Sequence, residues 1–224
     1  MSNATAAPER RSGGFVRDHG LTLALAGAVA VTIGLMLLSG WTAFNDELAQ
    51  HGRPAIGLAA YARSGDFLSA LFENWESEFL QMSVYVCLTA FLFQRGSAES
   101  RDPDEGEPGP SPLVLGARTP FRRACAWVYS YSLGLALGLL FVLSFAAHLV
   151  ESARKEAEAA LLHGGTAPTL WEHLGSAGFW FESMQNWQSE FLSTAVLVLL
   201  SIWLRHHGSP ESKKVDSPHS ATGK

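Results

Sequence analysis

The chain has 224 residues and a formal net charge of -5, with 47% hydrophobic and only 17% charged residues. Charge this sparse, gathered into a few segments, points to a membrane protein. Without a basic stripe to neutralise a phosphate backbone, the chain is not expected to bind nucleic acid. Cys87 and Cys125 both lie in apolar runs, and with no CxxC in the chain they read as packing residues, not as a disulfide or a metal pair.

A polar arm with Arg10, Arg11 and Arg17 leads into an apolar run, Leu21 to Ser39, that carries no charge for 19 residues. That is long for a signal-peptide core and close to the roughly 20 residues of a spanning helix. Leu21-Thr22-Leu23-Ala24-Leu25 also returns as Leu133-Gly134-Leu135-Ala136-Leu137 deep in the chain. The first run is therefore expected to be a retained helix. Gly20, Gly27 and Gly34 keep to one side of it, and Gly134 and Gly138 form a GxxxG in its counterpart; both patterns predict close helix contacts.

A polar loop from Gly40 to Asp66 follows. Its counterpart from Glu151 to Gly178 opens on a strong helix-forming run, Glu151 to Ala160, which predicts that the third span continues past the membrane. His51-Gly52 and His163-Gly164 match in these loops, and Gly164 is placed to end the extension. The loops are expected to be partly helical.

Then comes Asn74-Trp75-Glu76-Ser77-Glu78-Phe79-Leu80, which recurs as Asn186-Trp187-Gln188-Ser189-Glu190-Phe191-Leu192 at an offset of 112. Both copies run into apolar segments that exit through Gly96-Ser97-Ala98-Glu99-Ser100 and Gly208-Ser209-Pro210-Glu211-Ser212, again 112 apart. One unit is thus read as duplicated in tandem. The expected fold is an all-α membrane protein of four transmembrane helices, built as two helical hairpins (residues 1–112, spans about 21–40 and 74–94; residues 113–224, spans about 127–150 and 186–206). A pseudo-twofold along the membrane normal would relate them. Residues 95–123, rich in proline and in charges of both signs, read as a flexible linker.

Twelve of the 16 Lys and Arg residues fall on the N-terminal arm, the linker and the C-terminal tail, and the two long loops share the rest. The positive-inside rule puts both termini and the linker in the cytoplasm. Together the tandem motifs, the two Gly-Ser-x-Glu-Ser exits and the paired His-Gly resemble a bacterial family of four-span membrane proteins known only as a domain of unknown function. That resemblance implies a bacterial cytoplasmic membrane protein and transfers no catalytic residue.

Asn74, Glu78 and Gln81 share one helical face, and Asn186, Glu190 and Ser193 repeat the stripe. On a functional reading Glu78 and Glu190 meet as a carboxylate pair that handles a proton or cation, with Asn74, Ser77, Asn186 and Ser189 as neutral ligands and His51 or His163 above them. On a structural reading the same groups lie at headgroup depth and fix helix packing. Trp75, Trp187, Arg95 and Arg205 read as interface anchors. His148, whose counterpart is Met36, reads as an interfacial hydrogen-bonding side chain. No HExxH, P-loop or nucleophile elbow occurs, so no enzyme activity, cofactor or metal is expected. The expected role is a non-catalytic structural or interaction protein; the alternative is a small transporter or channel-like protein using Glu78 and Glu190. Its expected partners are the lipid bilayer and either a second copy or another membrane protein.

Overall fold

The computed structural model describes residues 14–106 and 108–223, apart from the side chain of Leu162. The arm with Arg10 and Arg11 lies outside the described residues. Eight α-helices and one short 3-10 turn, with no strand, make up the regular structure of the described residues. The chain divides into two compact units after Arg63.

The first unit holds α1 (Phe15–Gln50) and α2 (Leu58–Tyr61). Helix α1 continues about three turns beyond the apolar run, because the segment after Gly40 is tied to it. The Trp41 indole and the Asn45 amide donate to the Ile56 carbonyl, at 2.7 and 3.2 Å, and the Ile56 N–H returns a bond to Asn45 Oδ1. Buried Tyr61 packs on Phe44 and fills the space over Gly40, where a Cβ would collide with the Tyr61 hydroxyl. His51 caps the end of α1, and Gly52 turns the chain at φ +66°.

The second unit is organised by three long helices: α3 (Gly65–Leu88), α6 (Ser132–Leu162) and α8 (Ala177–Trp203). Between them lie α4 (Pro112–Leu115), α5 (Pro120–Ser130) and α7 (Leu170–Leu174). Ser64 and Ser176 each accept a hydrogen bond from the backbone N–H three residues on, which starts α3 and α8 at positions 112 apart. Helix α3 begins nine residues before Asn74 and ends at Leu88, short of the expected 94; its 24 residues rise roughly 36 Å. The expected third span is interrupted at Tyr131, where α5 gives way to α6. His163 and Gly164, at φ +73°, close α6 just as His51 and Gly52 close α1.

Helices α3 and α6 are antiparallel and pack along their length through small residues. A Cβ on Gly134 or Gly138 would make ordinary contact, at 3.5 Å, with Cys87 Sγ and Ser83 Oγ. At the other end Gly65 allows backbone to touch backbone: a Cβ there would lie 2.6 Å from the Lys155 nitrogen and 2.9 Å from the Glu151 carbonyl oxygen. Helix α8 runs parallel to α3, and the Gln81 amide reaches the Glu190 carbonyl and the Ser193 and Thr194 hydroxyls.

The Gly-Ser-x-Glu-Ser segments form two copies of one turn. Gln94 N–H donates to Ser100 Oγ at 2.8 Å and His206 N–H to Ser212 Oγ at 2.9 Å; Gly96 and Gly208 sit at φ +85° and +84°. The start of the linker and the end of the chain are then bound together. Ser97 and Ser201 hydroxyls meet at 2.8 Å, Gly223 N–H donates to the Ser97 carbonyl, and buried Lys213 donates to the carbonyls of Gly96, His219 and Ala221.

Candidate functional site

The stripe of α3 that faces its neighbours is Gly65, Ser69, Glu76, Ser83 and Cys87, spaced by fours and sevens as one helical face requires. Glu76 sits in its middle with 0% exposure and meets His148 of α6, also at 0%. His148 Nδ1 lies 2.7 Å from Glu76 Oε2, and the Trp187 indole of α8 donates to Glu76 Oε1 at 2.8 Å. One carboxylate therefore ties three helices together. Phe179 closes over the imidazole at 5.1 Å between ring centroids.

A second layer lies beside this lock. Glu73, one turn before Glu76, accepts from Asn186 Nδ2 at 2.5 Å. A carboxylate oxygen of Glu73, one of Glu182 and a ring nitrogen of His148 all lie within 4.8 Å of one another. Since Nδ1 faces Glu76, the nitrogen left for this group is Nε2, which is buried and makes no hydrogen bond. Next to the group is a cavity of about 280 Å³ whose lining includes Glu182, Lys155, Glu156, His173 and Phe179.

Ser152 Oγ and His173 Nε2 meet at 2.7 Å at the edge of that cavity. A hydroxyl beside an imidazole suggests nucleophile chemistry, but the counterparts of this pair at the offset of 112 are Gly40 and Tyr61, which make the same junction between a long helix and a short one. The contact thus reads as packing. Burial holds the His173 imidazole below its ordinary pKa, against the opposing charges of Glu156 and Glu182 and with that of His148.

The residues singled out from the sequence are distributed differently. Asn74 is exposed and bonds locally to the Ala70 carbonyl; Ser77 is buried and donates to the Asn74 carbonyl. Glu78 is exposed and Glu190 half-buried, near enough for their charges to repel. Asn186 serves Glu73, while exposed Ser189 donates to the Asn186 carbonyl. His51 and His163 occupy helix ends. Of the expected anchors, Trp75 stacks edge-on against Phe72, Arg95 pairs with Asp104 at 2.7 Å, and Arg205 donates to carbonyls of the α8 end and of Ser217. Trp187 instead points its N–H inward at Glu76. His148, expected at an interface, is fully buried. Glu73, Glu76 and Glu182 did not stand out in the sequence, because reading by repeat favours residues that recur.

Fold and site together define a helical protein in which two helices, α1 and α6, are long and apolar enough to cross a membrane, beside a buried carboxylate–imidazole–indole lock. The family model described as a domain of unknown function (DUF6766) matches residues 12–224, and the chain belongs to that family. No curated protein matches it. No solved structure matches it either.

Proposed function

We infer that the chain is a non-catalytic structural or interaction protein of a bacterial cytoplasmic membrane. Four spans, two from each half, would place both termini and the linker on the cytoplasmic side and the α2 and α7 loops on the other. The observation that carries this reading is an inverted distribution of polarity. Leu135, Leu139, Val142 and Leu143 of α6 are exposed, whereas Ser144, His148 and Ser152 on the same helix are buried with Glu76, Ser77 and Ser183. In water that arrangement forfeits the hydrophobic drive; in lipid it is the stable one, since polar groups find partners only inside the protein.

A pseudo-twofold between the halves is supported by element starts, caps and turns that recur 112 apart, and by Gln81 meeting its own counterpart Ser193 between α3 and α8. The bilayer is the first partner. The glycine face of α1 offers a seam to a second copy or to another membrane protein.

Localisation and topology test this together. With Cys87 and Cys125 replaced by Ser, single cysteines at Arg53 and Glu105 are probed in intact cells with an impermeant maleimide. Retention in the membrane pellet through alkaline carbonate, with Arg53→Cys labelled and Glu105→Cys protected, is the expected result. Release by carbonate, or labelling of both sites, refutes it.

A further inference from the structure

We propose that Glu73, Glu182 and Nε2 of His148 bind one divalent transition-metal ion of the zinc type, at the end of the α3–α6–α8 trio away from the linker. The three side chains come from three different helices, and a carboxylate oxygen of each glutamate and a ring nitrogen of His148 already lie within 4.8 Å of one another. Ligand atoms about 2.1 Å from a shared ion lie roughly 3–4 Å apart, so small rotamer changes close the site. The site requires no change in the backbone.

Both remaining parts of a metal centre are present. A ligating imidazole usually gives its other N–H to a carboxylate, which fixes the orientation of the ring. Glu76 does this for His148 at Nδ1, and the Trp187 indole in turn holds Glu76. With Nδ1–H donating to Glu76, Nε2 presents its lone pair to Glu73 and Glu182. Glu73 has a comparable support in Asn186, whose amide binds Oε1 and leaves the other oxygen for an ion.

Charge balance favours an ion over a water molecule. A water would satisfy the unpartnered Nε2, yet it would leave the carboxylates of Glu73 and Glu182 facing each other with Glu76 close behind. His148 and then Lys155 are the positive charges that act on Glu73; with the imidazole neutral, as a metal ligand must be, only Lys155 offsets the three carboxylates, which leaves about two negative charges for a divalent ion to neutralise. The mixed nitrogen and oxygen donors suit zinc or its first-row neighbours better than magnesium. Glu182 also lines the 280 Å³ cavity, which supplies a route in and room for water on the open coordination positions.

The full chain, purified in mild detergent and stripped with a chelator, is titrated with Zn²⁺ by calorimetry and with Co²⁺ by visible absorption, and Mg²⁺ serves as control. One Zn²⁺ per chain is expected, with a dissociation constant tighter than about 100 μM, and equimolar Mg²⁺ does not displace it. Glu73→Gln and Glu182→Gln each weaken Zn²⁺ at least tenfold while the circular dichroism stays that of the wild type, and His148→Gln shifts the Co²⁺ bands. Should His148→Gln fail to fold, Glu182→Gln still decides, because Glu182 is only half-buried. Wild-type protein that binds neither Zn²⁺ nor Co²⁺ overturns the proposal. So does binding that survives unchanged in the Glu73→Gln/Glu182→Gln double variant, which would trace it to other histidines such as His206 and His207. None of these readings depends on how the chain is inserted in a membrane.

Discussion

Replacing Glu76 tests the central claim that one carboxylate locks three helices. Glu76→Ala leaves the His148 and Trp187 donors, at 2.7 and 2.8 Å, without their acceptor at a fully buried position. Each stranded donor costs about 1–3 kcal/mol, so the loss is about 2–6 kcal/mol before any cavity is counted, a large part of an ordinary folding free energy. At about 2–4 °C per kcal/mol for a chain of this size, the melting temperature in detergent falls by about 4–24 °C. Glu76→Gln keeps one acceptor oxygen but turns an amide NH₂ toward the other donor, so it falls between wild type and Glu76→Ala. The assay is thermal unfolding followed by circular dichroism, with indole fluorescence reporting on Trp187. A double-mutant cycle with Trp187→Phe isolates the bond, and a coupling of about 1–3 kcal/mol is expected. If Glu76→Ala melts within a degree of wild type, or if the two substitutions simply add, the lock has been misread.

Three further perturbations probe the surroundings. Gly65→Ala places a methyl 2.6 Å from the Lys155 backbone nitrogen and should cost about 1–3 kcal/mol, whereas Gly138→Ala, with only a 3.5 Å contact to Ser83, should be close to neutral in the same melting assay. Lys213→Met removes three donors to the carbonyls of Gly96, His219 and Ala221; residues beyond 205 should then become sensitive to limited proteolysis, read by mass spectrometry, while the helix content is unchanged. Burial lowers the pKa of His173 from 6.5, so the unfolded chain takes up a proton there before the folded one does. The stability contributed by its neutral form is full above about pH 6.5 and is lost as pH falls through the depressed folded value. Glu156, Glu182 and His148 are the charged and titratable groups that act on it. The Ser152→Gly/His173→Tyr double variant, which installs the Gly40/Tyr61 pair of the first half, should fold and show a shallower loss of melting temperature between pH 7 and pH 5.

The long helices were legible in the sequence as apolar runs, and the end of α6 as Gly164 at positive φ. The starts of α3 and α8 were not, because Ser64 and Ser176 cap them well before the tandem motif. The site was not legible, for two connected reasons. Each residue turns a helix by about 100°, so Glu76 and Glu78, two positions apart, differ by more than half a turn; apolar content alone does not say which of them faces inward. Recurrence then pointed to Glu78 and Glu190, not to Glu76. Where two related helices run side by side, matched positions approach each other at the seam, and two matched carboxylates repel. Glu78 and Glu190 are both acidic and both retain access to the surroundings. Fully buried Glu76 on α3 is matched by neutral Gln188 on α8, and the other members of the cluster also lack an ionisable match: Glu73 has Gln185, Glu182 has Ala70 and His148 has Met36. On the proposed duplication, the residues shared at the offset of 112 describe the scaffold. Buried charge has to be sought at the positions where the two halves disagree.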